Sequence, residues 1–256
     1  MLPRFLTVYV SLLFAAFAFD NTKGQNSTSW NKLLEESSDR KQTFVSMLLP
    51  LINEQNQKIL KDREFIGVFF EKYPDSRSDA KISAFDYARL IEIAKSYKVG
   101  NIFSKKEYFE KIDIIPASLV LSQAALESGW GSSRVSMASN NLFGQKSFNG
   151  TSYVKASGQT SIKYAAFDSV GDAVKSYMTN LNSHEAYREF RKKRADTRLK
   201  NIEFTGLKAA KTLINYSEVG RDYTLMLSQM IKSYFGAYDE AKTIITGSAA
   251  TIGFIY

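Results

Sequence analysis

Apolar residues recur at helical spacing along most of this chain. Phe44, Met47, Leu48, Leu51 and Ile52 follow an i, i+3, i+4, i+7, i+8 pattern, and we expect Pro50 to kink or restart that helix. Further helices are predicted by three other stripes: Tyr87, Leu90, Ile91 and Ala94; Ala173, Val174, Tyr177, Met178 and Leu181, behind a capping pair of Ser169 and Asp172; and Tyr223, Met226, Leu227, Met230, Ile231 and Tyr234.

One predicted helix is apolar on nearly all sides and should lie in the middle of the fold. It opens at Pro116, a residue suited to the first helical position, and Gly129 supplies its stop. Glu127 stands in the last turn, beside Trp130. Because partial desolvation favours the acid form of a carboxyl group, Glu127 is the candidate general acid for protonating a glycosidic oxygen.

Residues 145 to 167 change character and predict a small β-hairpin. Short runs around Tyr153 and Ile162 are set off by the turn formers Asn149-Gly150 and Ser157-Gly158. The predicted fold class is therefore mainly α (α+β), a helical domain with a small β-hairpin lobe. This arrangement places the carboxylate of Glu127 at the rim of a cleft between helical body and lobe.

The termini differ from the middle of the chain. Arg4 is followed by an uncharged apolar run and by the small-x-small site Ala16-Phe17-Ala18, which predicts a signal peptide over residues 1–18. An uncleaved N-terminal anchor is the alternative, and both predict an exported protein in the periplasm or cell envelope. We expect a flexible lead over 19–39, the main domain over 40–238, and a tail over 239–256 that the pattern does not assign.

Composition limits the chemistry. With 256 residues, no cysteine and one histidine, the sequence excludes disulfides, thiol catalysis and a multi-histidine metal centre, and we expect no cofactor and no metal. His184 is interpreted as a solvated or capping residue. Catalysis would have to use carboxylates, tyrosines and amides.

Positive charge predicts an anionic partner. The formal net charge is +8, which favours nucleic acid, anionic lipid or a cell-wall polymer. For an exported chain the wall polymer is the expected partner rather than nucleic acid, and the N-terminal segment could associate transiently with a membrane. The cationic run from Arg188 to Lys200 fits a solvated helix better than a nucleic-acid patch, with Tyr187 and Phe190 facing the core.

Two stretches carry a specific resemblance. Residues 115–131, ending in Glu127-Ser128-Gly129-Trp130-Gly131, and residues 140–146, Asn-Asn-Leu-Phe-Gly-Gln-Lys, resemble the glucosaminidase family that includes flagellar-rod peptidoglycan hydrolases, glycoside hydrolase family 73. More narrowly, the chain looks like the Bax-like branch of Gram-negative bacteria. Motifs at 40–44, 167–169, 181–187 and 216–223 match that branch in order, over about residues 40 to 235.

The resemblance implies a lysozyme-like fold that cleaves N-acetylglucosaminyl bonds in peptidoglycan or a related glycan. Glu127 matches the general acid of the family, and Tyr216 and Tyr223 fall where the family keeps a functionally important tyrosine. The implied substrate-binding residues, which would line the sugar cleft, are Trp130, Asn140, Asn141, Phe143 and Gln145.

One departure from the family concerns the lobe. Many relatives carry a glutamate where this chain has Lys163, and no acid occurs between Glu127 and Asp168. A two-carboxylate inverting mechanism needs a second carboxylate roughly 6.5–9.5 Å away. Another acid could serve, with Asp168, Glu218 and Asp222 as candidates.

Three hypotheses need no second acid. In the first, the N-acetyl group of the substrate attacks the anomeric carbon, with a tyrosine hydroxyl orienting it. In the second, the domain is a glycan-binding or scaffold module with little turnover. In the third, it is a lytic transglycosylase, which uses one glutamate and would leave anhydro-muramyl ends.

Overall fold

The computed structural model describes residues 27–74, 82–147, 152–155, 163–213 and 221–240. These residues form α-helices with one two-stranded hairpin, so the predicted mainly helical class is confirmed. The helices are α1 (Ser27–Glu36), α2 (Arg40–Lys72), α3 (Ala84–Ser96), α4 (Lys105–Lys111), α5 (Ala117–Ser128), α6 (Arg134–Ser139), α7 (Val170–Ser183), α8 (Arg188–Leu199), α9 (Gly206–Ala210), α10 (Arg221–Met230) and α11 (Ala237–Glu240). A 3₁₀ turn spans Glu185–Tyr187, and a π turn spans Ile231–Phe235.

Helix α2 is one continuous helix through Pro50, so the helix does not restart there, and the alternative of a kink stays a prediction. Asp39 caps its start by accepting a hydrogen bond from the Gln42 amide at 3.1 Å. Its buried face includes Phe44, Leu48 and Ile52. Pro50 lies on the exposed face, where water can satisfy the carbonyl that proline leaves without an amide partner.

Helix α5 lies at the centre of the fold, as predicted. Every residue from 117 to 125 is buried, and α5 packs against α2, α9, α10 and α11. Pro116 precedes the first turn, and Gly129 ends the helix in the left-handed conformation at φ +58°. A helix surrounded in this way has little freedom to shift, so the carboxylate of Glu127 in its last turn is held in a fixed position.

The N-terminal end of α5 is anchored by Asp239, a residue that the sequence pattern leaves in an unassigned tail. Asp239 is buried in α11, and its carboxylate accepts hydrogen bonds from the Ser118 hydroxyl at 2.6 Å and the Gly206 amide at 2.7 Å. It thereby caps the first turns of α5 and α9 together. Just before α5, the Asn56 side chain pairs with the backbone N–H and C=O of Ile115, each at 2.9 Å.

The prediction of a flexible lead is wrong for residues 27–36, which form α1. Trp30 and Leu34 are buried in the core. A side chain at Gly131 would bring its Cβ within 2.7 Å of Leu34 Cδ1, so the glycine permits the close approach of α1 to the end of α5. Trp30 also donates from Nε1 to Asn140 Oδ1 at 2.8 Å.

The interpretation of the cationic run as a solvated helix is wrong for two of its arginines. Arg191 and Arg194 are 1% and 2% exposed. The Arg194 guanidinium donates to the carbonyls of Glu110, Lys111, Asp113 and Ile114 and to Asn182 Oδ1. It therefore binds the last turn of α4 and the segment leading into α5, since helix carbonyls at that end lack intrahelical partners.

A buried carboxylate completes this cluster. Asp113 is 1% exposed and pairs with Arg198 through both carboxylate oxygens, while Arg63 lies 3.8 Å away. Burial raises the pKa of Asp113, but the charges of Arg63, Arg198 and Arg194 outweigh it and lower that pKa to about 2. Arg191 and Arg194 are therefore part of the interior of the fold. Phe190 faces the core, as predicted.

The hairpin prediction is confirmed in its strands. Strand β1 (Tyr153–Lys155) pairs antiparallel with β2 (Lys163–Ala165), with Val154 opposite Tyr164. The turn formers Asn149-Gly150 and Ser157-Gly158 lie outside the described residues, as do the signal segment and residues 241–256.

Two predicted stripes are shifted in the structure. In α3, Tyr87 and Ile91 are exposed, and Ile93 is buried beside Leu90 and Ala94. At the end of α10, the π turn widens the spacing, so that Phe235 is buried and Tyr234 is 48% exposed. A π turn cannot be predicted from a hydrophobic pattern with the regular α-helical period.

Candidate active site

Glu127 occupies the penultimate position of α5, where the buried helix reaches the surface. Its neighbours on the helix, Ala124, Ala125 and Ser128, are at most 1% exposed, whereas the Glu127 side chain is exposed. A rigid, buried helix therefore presents one carboxylate to solvent. Such support is what a catalytic group needs.

The residues after Glu127 end the helix sharply. The Ser128 hydroxyl donates to the Ala124 carbonyl and accepts from the Gly131 amide at 2.8 Å. Gly129, Trp130 and Gly131 all have positive φ, between +58° and +78°. This turn carries the chain away from the helix axis directly beside the carboxylate, which leaves Glu127 open to the surface.

Tyr223 contacts Glu127 directly. Its hydroxyl donates to Glu127 Oε1 at 3.1 Å and accepts from Gln123 Nε2 at 2.9 Å. Gln123 Oε1 in turn accepts from the Tyr177 hydroxyl. The prediction that Tyr223 belongs to the site is supported by this contact, whereas Tyr216 lies outside the described residues.

The electrostatics of Glu127 suit a proton donor. Although water reaches the side chain, the surrounding protein atoms raise the pKa of Glu127 by desolvation, and the hydrogen bond from Tyr223 lowers it by a smaller amount. The exposed side chain is open to a ligand, while the partial desolvation favours its protonated form. A raised pKa keeps part of the population protonated closer to neutral pH, as general-acid catalysis requires.

Two further residues lie close to this carboxylate. Burial raises the pKa of the Tyr187 hydroxyl, and the negative charge of Glu127 raises it further. Gly144 lies beside the other carboxylate oxygen, since a Cβ there would be 3.5 Å from Glu127 Oε2. The sequence pattern assigns Tyr187 to the core and does not single out Gly144, because neither position carries a local signal of its distance to Glu127.

The two asparagines predicted to bind sugar hold the loop around the site. Asn140 accepts from Trp30 and donates to the Phe167 carbonyl at 2.8 Å. Asn141 donates to the carbonyls of Gln145 and Ala165 at 2.8 and 2.9 Å, and both asparagines are at most 3% exposed. Their amides therefore connect the 140–145 loop to the hairpin, and direct contact with a sugar stays a prediction.

The other predicted substrate-binding side chains also have partners within the protein. Phe143 is 2% exposed and stacks on Tyr177 with ring centroids 4.0 Å apart. The Gln145 side chain donates to the Ala173 carbonyl at 3.1 Å and accepts from the Ser176 hydroxyl at 2.8 Å. These contacts make Phe143 and Gln145 supports of the site.

Trp130 packs into an aromatic group at the end of α5. Its ring lies 5.7 Å from Phe44, 5.4 Å from Tyr234 and 5.6 Å from Phe235, and the Lys41 ammonium lies 5.2 Å from its centroid. The ring is only partly buried, so one part of it remains available to a ligand. Stacking of Trp130 on a sugar stays a prediction.

The candidates for a second acid are not brought to Glu127 by any contact in the described ranges. Asp168 and Asp222 are exposed, and Glu218 lies outside those ranges. Lys163 is exposed on β2, with its ammonium 4.4 Å from the Tyr153 ring.

His184 caps the 3₁₀ turn through Nδ1, which accepts a hydrogen bond from the Ala186 amide at 3.2 Å, as the capping interpretation predicted.

Metal-ligating clusters and membrane-spanning helices are both absent from the residues that the structure describes. No three of their His, Cys, Asp or Glu side chains are grouped so that they could hold a metal ion. Likewise, none of the helices in that part of the chain has the length and apolar character needed to cross a bilayer.

A family model matches the part of the chain that carries this site. Residues 103–236 match the glucosaminidase model, described as mannosyl-glycoprotein endo-beta-N-acetylglucosaminidase, and the chain belongs to that family. The match includes α5 with Glu127, the hairpin and Tyr223. It confirms the glucosaminidase resemblance, while the narrower assignment to glycoside hydrolase family 73 and the flagellar type stays a prediction.

Proteins similar to this chain include a bacterial relative and a solved catalytic domain. Protein bax of Escherichia coli (strain K12) is 38% identical over 196 residues, which cover 75% of this chain and 68% of that protein. Among solved structures, the catalytic domain of the autolysin Auto from Listeria monocytogenes matches with 20% identity and a TM-score of 0.38, covering 66% of this chain and 96% of that domain.

Proposed function

We propose that this protein is an exported glycoside hydrolase that cleaves N-acetylglucosaminyl bonds in peptidoglycan, with Glu127 as general acid. The observation that carries the proposal is the placement of Glu127: an exposed carboxylate with a raised pKa, fixed at the end of a buried helix and hydrogen bonded to Tyr223. Membership of the glucosaminidase family supplies the substrate class. The net charge of +8 suits an anionic wall polymer.

The first step is a proton transfer from Glu127. The protonated side chain gives its proton to the glycosidic oxygen, so that the bond between this oxygen and the anomeric carbon breaks and the leaving sugar departs as a neutral alcohol. Glu127 is then a carboxylate. The hydrogen bond from Tyr223 stabilises that charge, because hydrogen bonds to an ionised acceptor are stronger than those to a neutral one.

The groups around Glu127 favour participation of the substrate in the first step. Among the residues that the structure describes, the groups shown to act on Glu127 or to lie beside it include two phenols and a glycine, Tyr223, Tyr187 and Gly144. We therefore propose that the N-acetyl oxygen of the sugar forms a bond to the anomeric carbon as the glycosidic bond breaks. Water then opens the cyclic intermediate and returns its proton to Glu127.

The test compares Glu127→Gln with the unsubstituted protein on purified sacculi. Glutamine keeps the shape of the side chain but cannot donate a carboxylic proton, so the release of reducing ends should fall by about 100-fold or more. Glu64→Gln, on the exposed surface of α2, is the matched control and should keep full activity. Equal release by the Glu127 and Glu64 variants would remove Glu127 from the mechanism.

Product analysis separates the related classes. Mass spectrometry of the soluble fragments should show reducing N-acetylglucosamine ends. Anhydro-muramyl ends would instead identify a lytic transglycosylase, and binding to sacculi without soluble fragments would identify a glycan-binding module. Fractionation of cells that produce the full chain tests export, and recovery in the cytoplasm would contradict that part of the proposal.

A further inference from the structure

Behind Glu127 three polar side chains form a hydrogen-bonded chain through an apolar core. The Tyr177 hydroxyl donates to Gln123 Oε1, Gln123 Nε2 donates to the Tyr223 hydroxyl at 2.9 Å, and that hydroxyl donates to Glu127 Oε1 at 3.1 Å. Gln123, Tyr177 and Tyr223 are 0%, 3% and 5% exposed. Most polar groups this deeply buried are hydrogen bonded, because an unpaired one costs free energy.

The chemistry of the donors fixes the direction of this chain. An ionised carboxylate only accepts, so the single proton of the Tyr223 hydroxyl points at Glu127. Tyr223 must then accept from the amide nitrogen of Gln123, which turns the amide oxygen toward Tyr177. The Tyr177 hydroxyl completes the sequence as a donor. One orientation of the Gln123 amide satisfies all three contacts.

The two oxygens of Glu127 are therefore not equivalent. Oε1 receives the hydrogen bond of Tyr223, and a proton placed on Oε1 would face a hydroxyl whose own proton points back at it. Oε2 lies beside Gly144, which has no side chain that could cover this oxygen or hydrogen bond to it. A Cβ at position 144 would stand 3.5 Å from Oε2.

We infer that Gln123 and Tyr177 are positioning residues that commit Oε1 of Glu127 to accepting a hydrogen bond and thereby place the acidic proton on Oε2. This inference rests on the proposed role of Glu127 as general acid. Neither Gln123 nor Tyr177 is hydrogen bonded to the Glu127 carboxylate, yet the inference assigns to them the choice of the oxygen that faces the glycosidic bond. In the described part of the chain, Tyr187 of the 3₁₀ turn also senses the charge of Glu127, and Gly144 of the loop before the hairpin lies beside Oε2.

The first test follows the titration of Glu127 itself, by carbon-13 NMR of its carboxyl group in the full chain. Because a donated hydrogen bond favours the ionised form, Tyr223→Phe should move the titration midpoint to higher pH. Tyr177→Phe keeps the ring that stacks on Phe143 but removes the donor that orients Gln123. It should move the midpoint in the same direction, by no more than Tyr223→Phe does.

Tyr108→Phe is the matched control. Tyr108 is also fully buried, and its hydroxyl donates to the Leu90 carbonyl at 3.4 Å, outside this chain of hydrogen bonds. Removing it costs a buried hydroxyl of the same kind, yet it should leave the titration of Glu127 unchanged. A shift in this control would mean that loss of any buried tyrosine hydroxyl perturbs the site, and the inference would fail.

The double variant Tyr177→Phe/Tyr223→Phe tests the order of the chain. If Tyr177 acts through Tyr223, its replacement adds no further shift once Tyr223 is phenylalanine. An additional shift would show that Tyr177 reaches Glu127 by another route. An unchanged midpoint in the single Tyr177 variant would limit the chain to Tyr223 and overturn the role assigned to Gln123 and Tyr177.

Activity gives a second readout. A general acid must be protonated, so activity is lost as pH rises through the pKa of Glu127, and the alkaline limb of kcat/KM should move to higher pH in Tyr177→Phe. On the acidic plateau the rate should fall by no more than the roughly 10- to 100-fold expected for losing the charged hydrogen bond in Tyr223→Phe. If the proposed function fails, this activity is absent. If only the present inference fails, the protein is active but Tyr177→Phe leaves the titration midpoint of Glu127 unchanged.

Discussion

Replacing Arg194 by methionine tests whether the cationic helix α8 is part of the interior. Methionine fills a similar volume but donates nothing, so five acceptors around the segment between α4 and α5 lose their buried partner. Asp113 also loses one of its neighbouring positive charges. Breaking a buried, hydrogen-bonded charge cluster costs about 3–5 kcal/mol, which for a domain of this size lowers Tm by about 10 °C.

The measurement is urea and thermal unfolding followed by circular dichroism. Lys193→Met is the matched control, because Lys193 is the neighbouring cation on α8 but lies on the exposed face. Its loss should change the free energy of unfolding by about 0.5 kcal/mol or less. If the two variants differ by less than about 1 kcal/mol, Arg194 does not have the role that its hydrogen bonds assign to it.

Two other predictions concern acid stability and stereochemistry. Because neighbouring arginines lower the pKa of Asp113 to about 2 in the folded chain, against 3.8 as its reference, its charge contributes about 2 kcal/mol of stability above pH 4, lost as pH falls toward 2. Urea titrations across that range should show the loss in the parent protein, and a flat profile would contradict it. If the N-acetyl group of the substrate attacks the anomeric carbon, NMR of the first-formed product should show retained configuration; inversion would indicate a second carboxylate acting through water.

The elements that could be predicted from the sequence are those whose signals are local. The start of α7 is one example, since the Ser169 hydroxyl accepts from the Asp172 amide at 3.1 Å, three residues away. The central helix is another, because an apolar run between Pro116 and Gly129 contains its own start, stop and burial. The position of Glu127 at the exposed end of that helix follows from the same few residues.

The features that local patterns miss depend on partners distant in the chain. Helix α1 is polar in composition, and its place in the core rests on Trp30 reaching Asn140, 110 positions away. The burial of Arg194 depends on backbone carbonyls more than 80 residues earlier. Every residue has a backbone carbonyl, so the sequence does not distinguish an arginine that binds carbonyls from an arginine exposed to solvent.

The candidate site shows both cases. Glu127 and Tyr223 are expected from motifs, and the structure joins them by one hydrogen bond. Gln123 does carry a signal, as a polar residue one turn before Glu127 on a helix that is otherwise apolar or small. That signal predicts a buried partner without naming it, and Tyr177 and Tyr223 come from helices that the sequence places 54 and 100 residues away.

The accuracy with which Glu127 is held depends on both ends of α5. Asp239 and Asn56 fix the beginning of the helix, and the Ser128 hydroxyl with Gly131 fixes its end. Because α5 is a buried, rigid helix, a displacement at its first turn is carried to the carboxylate at its last. For the proposed general acid, a misplacement of about 1 Å can cost on the order of 100-fold in rate, so we expect the loss of the hydrogen bonds at Ser118 to lower the activity as well as the stability.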